Sequence, residues 1–207
     1  MSLVFPRLYA IIDAPMSDSW AIAHSEILVE AGVKLIQLRA KPSTSRRLCQ
    51  MATQISEFCV RNGARLIVND RPDVALLTGA GGVHVGQHDV SVSVIRQVCG
   101  KDAWVGISTH SLTQVQQADA TPIDYLAVGP IFPTITKENP EPVVGVEFIR
   151  AARRLTAKTL VAIGGISLPR VREVLDAGAD SVAVARDLLC ASDIRQRIQQ
   201  YLRAVAG

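Results

Sequence analysis

Aromatic residues are scarce in this sequence: four Phe, three Tyr and two Trp amount to 4% of 207 residues. A protein that grips single-stranded nucleic acid by stacking needs more of them, and no block of Lys or Arg compensates. The formal net charge of +3 is modest, which suits small anions better than a polyanion. The four cysteines, Cys49, Cys59, Cys99 and Cys190, form no CxxC pair. That excludes the common zinc and redox motifs and points to reduced thiols in a cytoplasmic protein. The opening residues, MSLVFPRLYAIID, lack the basic, apolar and small-residue order of a signal peptide. No uninterrupted apolar run reaches the roughly 20 residues of a membrane span. The expectation is a cytoplasmic protein that contacts neither membrane nor nucleic acid; oligomeric state is not legible.

Short apolar runs are present in number. They occupy residues 7–13, 35–40, 65–70, 82–86, 104–108, 125–130, 159–165 and 181–185. Most are rich in Val and Ile and end at Gly, Asp or Pro, as buried strands do. Between them lie SWAIAHSEILVEAG (19–32), SRRLCQMATQISEFCVRNG (45–63) and LPRVREVLDAGAD (168–180), with apolar residues at helical spacings of three and four. Gly32, Gly63 and Gly178 stand where helix C-caps belong, and Ser167 stands where an N-cap belongs. Eight strand–helix units predict an α/β fold, a (β/α)8 TIM barrel forming a single compact domain over residues 1–207. A doubly wound open sheet is the alternative. The longest loop candidate is PIFPTITKENPEPVVG (130–145), and loops of that length in compact domains are usually functional.

The run LIQLRAK (35–41) places Gln37, Arg39 and Lys41 at every second position, hence on one face of a strand. Polar groups also gather at the ends of the following runs: Asn69 and Asp70, then Asp89, then Ser108 and His110, then Thr134, Thr136 and Lys137, then Gly164 and Gly165. In a barrel of this kind the C-terminal ends of the strands carry the chemistry. Taken singly, Asp70 and Asp89 are ordinary helix-capping residues, His110 an ordinary rim histidine and Gly164–Gly165 an ordinary turn. Their coincidence at one rim favours a site. Arg39, Lys41 and Lys137 only donate, which suits phosphate oxygens. Asp70 and Asp89 are hard oxygen ligands, and two carboxylates with substrate phosphates form the usual setting for Mg²⁺. Gly164–Gly165 lets a phosphate approach backbone N–H groups. Together they suggest a pyrophosphate leaving group and a separate phosphate anchor.

These residues resemble the thiamine-phosphate synthase family. The matching segments are QLRAK (37–41), IVNDRPDVAL (67–76), GVHVGQHD (82–89), GISTHS (106–111), DYLAVGPIFPTITK (124–137) and AIGGI (162–166), spread over nearly the whole chain. The resemblance implies a (β/α)8 barrel that joins the pyrophosphate ester of hydroxymethylpyrimidine to thiazole phosphate with Mg²⁺, giving thiamine phosphate and pyrophosphate. It implies that Gln37, Arg39, Lys41, Asn69, Ser108 and Lys137 hold the pyrimidine pyrophosphate and that Asp70 and Asp89 hold Mg²⁺. It further implies that Thr134, Thr136, Gly165, Ala185 and Arg186 meet the thiazole phosphate. An aminopyrimidine tolerates positive charge at its methylene carbon, so the leaving group can depart first and the thiazole nitrogen then capture the cation. Arg186, in SVAVARDLL (181–189), stands where the family usually has a small residue, commonly Ser. Arg186 either reaches the thiazole phosphate or pairs with an acid such as Asp187 and narrows the pocket. Ala40 replaces the acidic residue often found within QLRAK. Rival readings are a thiazole tautomerase of the same fold with His110 as acid/base, and a non-catalytic phosphate-ligand-binding paralogue.

Overall fold

The computed structural model describes residues 4–13, 17–41, 43–134 and 141–207. Eight strands form at the expected runs: β1 (Leu8–Asp13), β2 (Leu35–Arg39), β3 (Arg65–Asn69), β4 (Gly82–Val85), β5 (Trp104–Thr109), β6 (Tyr125–Val128), β7 (Thr159–Ile163) and β8 (Ser181–Val184). Each pairs in parallel with the next, and β8 pairs with β1, so the sheet closes. The closed barrel excludes the open doubly wound sheet. Parallel neighbours demand a crossover, and here each crossover contains a helix.

The helices are α1 (Asp18–Glu30), α2 (Ser45–Arg61), α3 (Pro72–Leu77), α4 (Val92–Cys99), α5 (Leu112–Asp119), α6 (Val146–Arg153), α7 (Val171–Asp176), α8 (Arg186–Leu189) and α9 (Ile194–Ala206). Their ends follow from local chemistry. The hydroxyls of Ser17, Thr44 and Ser111 accept backbone N–H bonds from Trp20, Arg47 and Gln114, capping α1, α2 and α5. Gly32, Gly63 and Gly178 take positive φ one residue beyond the C-caps of α1, α2 and α7, as expected. The run 168–180 departs from expectation. It opens with a 3₁₀ turn at Leu168–Arg170, and the Ser167 side chain makes no capping bond. Pro169, two residues on, lacks the N–H that a Ser167 cap would bind there.

Strand periodicity sorts the core into two layers. Inward-facing Tyr9, Ile11, Leu35, Ile67, Tyr125, Ala127, Val161 and Ala183 fill the barrel. Outward-facing residues such as Ile36, Leu38, Val68 and Leu126 pack under the helices against Leu48, Met51, Ile55 and Ile149. On β2 this alternation puts Leu35 and Gln37 inside and carries Arg39 to the rim, which is why an apolar strand tolerates an amide and a guanidinium. Among the described residues, no helix is long and apolar enough to cross a membrane.

Candidate active site

A cavity of about 510 Å³ opens at the C-terminal ends of the strands. Gln37, Arg39 and Lys41 line it from β2 and its extension, and Asn69 and Asp70 from β3. Asp89 follows β4, while Ser108 and His110 come from β5 and the residue beyond it. Thr134, Gly165, Ala185 and Arg186 line the opposite side. Thr136 and Lys137 lie outside the described residues. The structure therefore brings every described residue that sequence reasoning assigned to the site into one cavity.

The acidic corner is built by backbone geometry. Asp70 has φ of +61°, the left-handed region that only Asn, Asp and Gly visit readily. Its N–H donates to the His84 carbonyl (2.8 Å), which holds the turn across β3 and β4. Asp70 caps no helix: α3 begins after Arg71, with no side-chain capping bond. Its carboxylate lies 3.1 Å from Lys41 Nζ instead. Asp89 likewise does not cap α4, whose N-cap is Ser91; its Oδ2 accepts the Gly86 N–H at 2.8 Å and closes the Gly86–Asp89 turn. Burial pushes the Asp70 carboxyl above its usual range, the neighbouring Asp89 carboxylate pushes the same way, and Lys41 opposes them. Two carboxylates crowded together with one exposed ammonium favour a further cation. Among the described residues, no cluster of three or more His, Cys, Asp or Glu side chains is placed to hold a metal. A hard divalent ion here would complete its shell with water and substrate oxygens, which is the habit of Mg²⁺.

The cationic side is pre-paired. Arg39 donates to Asp13 Oδ1 at 2.6 Å, its register partner on β1. That contact orients the guanidinium fork at the rim and leaves its other donors for an anion. His110 donates from Nδ1 to the Gly129 carbonyl (2.5 Å), because a carbonyl only accepts; its Nε2 is therefore the unprotonated nitrogen in the neutral ring.

The opposite wall is made of backbone. Gly164 and Gly165 have φ of +99° and +63°. A Cβ on Gly164 would sit 2.5 Å from Pro130 Cβ, and one on Gly165 2.4 Å from the Pro133 carbonyl oxygen. The loop after β6 is thus pressed onto the end of β7, with Ile131 N–H and Phe132 N–H donating to the carbonyls of Ile163 and Gly164. Arg186 opens α8 beside this wall. It does not pair with Asp187, whose Oδ2 accepts from Tyr201 Oη (2.6 Å), Arg197 (3.1 Å) and the Leu168 N–H (3.2 Å). The pairing of Arg186 with Asp187 is therefore not formed. Asp187 is consumed by α9 and the β7–α7 loop, and among the described residues the Arg186 guanidinium has no ion pair or hydrogen-bond partner.

Comparison with known proteins follows the same outline. The family model described as thiamine monophosphate synthase matches residues 8–188. The chain belongs to the thiamine monophosphate synthase family. A thiamine-phosphate synthase of Koribacter versatilis (strain Ellin345) is 47% identical over 206 residues, covering 97% of this chain and 96% of the relative. One from Shouchella clausii (strain KSM-K16) is 36% identical over 200 residues, covering 96% of each. Among solved structures, thiamine phosphate pyrophosphorylase from Pyrococcus furiosus superposes with a TM-score of 0.85 at 29% identity, covering 97% of this chain and 95% of that one. Membership in the thiamine monophosphate synthase family makes the chain a transferase of thiamine biosynthesis.

Three cavity features escaped sequence reasoning. Asp13 reads as a strand terminus, yet it anchors Arg39. His84, enclosed between valines, reads as a core position, yet it lines the cavity and lies 2.9 Å from Ser108 Oγ. Tyr9 and Tyr125 read as core aromatics, yet their hydroxyls meet under the cavity floor. A polar-tipped residue within an apolar strand that ends at the site was the available signal.

Proposed function

We propose that this thiamine-phosphate synthase takes hydroxymethylpyrimidine pyrophosphate at the β2–β5 side of the cavity and thiazole phosphate at the β6–β8 side. The single observation that carries the reading is the convergence of Arg39, Lys41, Asp70 and Asp89 on one rim, across the cavity from Gly164–Gly165 and Arg186. Asp70 and Asp89 would hold Mg²⁺, which when bound supplies charge neutralisation at the pyrophosphate. Arg39, fixed by Asp13, and Lys41, beside Asp70, donate to the oxygens that gain charge as the ester bond lengthens. Asn69 and Lys137 add donors to the same group. Gln37 and Ser108 hold the pyrimidine ring on the floor.

The aminopyrimidine stabilises positive charge at its methylene carbon, so pyrophosphate departs before the thiazole nitrogen bonds to that carbon. No protein nucleophile is needed. The chain's contribution is to orient the two substrates and keep the cation from water. Thr134 and Thr136 contact the thiazole, while Gly165, Ala185 and Arg186 receive its phosphate. The reading has the enzyme act in the cytoplasm, where its four free cysteines stay reduced. Calorimetric titration of the protein with hydroxymethylpyrimidine pyrophosphate tests the substrate assignment. Binding in Mg²⁺ that weakens at least about tenfold in EDTA supports it; binding indifferent to the metal contradicts it.

A further inference from the structure

A continuous chain of side-chain hydrogen bonds crosses the floor of the cavity. Gln37 Nε2 lies 2.7 Å from Tyr9 Oη, which lies 3.1 Å from Tyr125 Oη. Tyr125 Oη lies 3.0 Å from His84 Nδ1, and His84 Nε2 lies 2.9 Å from Ser108 Oγ. Five strands contribute one residue each, and all five side chains are buried. The rings are seated for this purpose. The Tyr125 ring stacks on the His84 imidazole with centroids 5.5 Å apart, in space that a Cβ on Gly106 would occupy.

Such a chain has a direction. An amide nitrogen can only donate, so Tyr9 accepts from Gln37. Its one buried hydrogen is satisfied among the described residues when it is passed to Tyr125, the direction the proposal adopts. Tyr125 in turn donates to His84 Nδ1. A neutral imidazole that accepts at Nδ1 carries its proton at Nε2, so His84 donates to Ser108. The chain then sets what each end turns to the cavity: Gln37 offers its Oε1 acceptor, beside its second amide hydrogen, and Ser108 offers its O–H donor. Burial pushes the pKa of both tyrosines up, which keeps the hydroxyls intact as links.

We propose that Tyr9, Tyr125 and His84 are positioning residues whose chain fixes Gln37 as acceptor and Ser108 as donor, and thereby selects an aminopyrimidine over its oxo counterpart. An aminopyrimidine offers an amino donor beside a ring-nitrogen acceptor. The oxo form reverses both signs, with a carbonyl acceptor beside a ring N–H donor. It would face like against like at each end, and a buried unpaired group is costly. The proposal rests on the synthase reading for its substrate and on geometry alone for its polarity.

The first test needs no turnover. In protein labelled with ¹⁵N-histidine, His84 is expected as the neutral tautomer with Nε2 protonated and Nδ1 bare. An Nδ1-protonated ring, or an imidazolium at neutral pH, would mean a chain of another direction and would overturn the proposal. The second test uses Tyr125→Phe, which keeps the ring and removes the link, with Tyr9→Phe as a second variant should the first not fold. Wild type should bind the aminopyrimidine pyrophosphate at least about tenfold tighter than the oxo analogue, and the variant should bring that ratio within about threefold, as loss of a matched donor–acceptor pair does. The KM for thiazole phosphate should stay within about twofold, because that substrate sits on the other wall. A ratio unchanged by the variant would make the chain merely structural. An inactive wild type would contradict the synthase reading alone, since the tautomer and the binding ratio still decide the polarity.

Discussion

Lys41 Nζ sits 3.1 Å from Asp70 Oδ2, so a cation assigned to substrate and a carboxylate assigned to metal neutralise one another before either ligand arrives. Because burial raises the Asp70 pKa in the folded chain, its ionised form destabilises the fold. The sign follows from linkage: stability is fully present below the unfolded value and is lost as pH rises through the folded one. Asp70→Asn should therefore melt at or above the wild-type temperature without metal, helped by the tolerance of Asn for positive φ. Its half-activating Mg²⁺ concentration should rise at least about tenfold, or turnover should vanish. Melting in EDTA together with a metal titration of activity checks both. A destabilised variant with an unchanged metal requirement would remove Asp70 from the metal site.

Arg186 has no partner to lose among the described residues. Arg186→Ala should leave the melting temperature within about a degree of wild type. It should raise the KM for thiazole phosphate about tenfold, roughly 1.4 kcal/mol, as expected for one charge-assisted contact. The KM for the pyrimidine substrate should not follow. Steady-state kinetics with each substrate varied in turn provides the check.

Gly165 has both a positive φ and no room for a side chain. Gly165→Ala should cost about 1–3 kcal/mol of stability through backbone strain and collision with the Pro133 carbonyl. The damage to function should fall on thiazole phosphate, because the displaced loop forms that wall. Urea unfolding and the two KM values separate these effects.

The cysteines make a pH prediction outside the site. Burial pushes the Cys59 thiol from 9.0 up to about 11, while Cys190 is exposed. The stability held by the neutral Cys59 thiol is intact below pH 9 and is lost as pH rises toward 11, by of the order of 2 kcal/mol. Cys59→Ala should show a shallower fall in urea midpoint over that interval. At pH 8, a maleimide should label Cys190 in the folded enzyme and reach Cys59 only after unfolding. Equal labelling rates would contradict the burial.

Much of this was legible in the sequence, for identifiable reasons. LIQLRAK announced a rim because a period of two separates Leu35 and Gln37 from Ile36 and Leu38 with no tertiary information. The eight runs announced the barrel because each parallel strand, buried on both faces, must be apolar throughout. Asp70 and Asp89 were harder: a lone Asp before a helix usually caps it, and only the left-handed turn and the Gly86 bond redirect them. The partner of Arg39 lies 26 residues earlier, and the partners of Asp187 lie 10 and 14 residues later. Pairing at such distances is a product of barrel closure and helix docking, not of local pattern. The Tyr9–Tyr125 link spans 116 residues and has no local signal beyond two tyrosines in apolar strands.

The most direct test of the account is turnover. Purified protein is mixed with hydroxymethylpyrimidine pyrophosphate, thiazole phosphate and Mg²⁺, and thiamine phosphate is followed by fluorescence after oxidation, with EDTA and omission of each substrate as controls. The account predicts thiamine phosphate and pyrophosphate in equal amounts, only when both substrates and the metal are present. Intact binding of both substrates without product would contradict it.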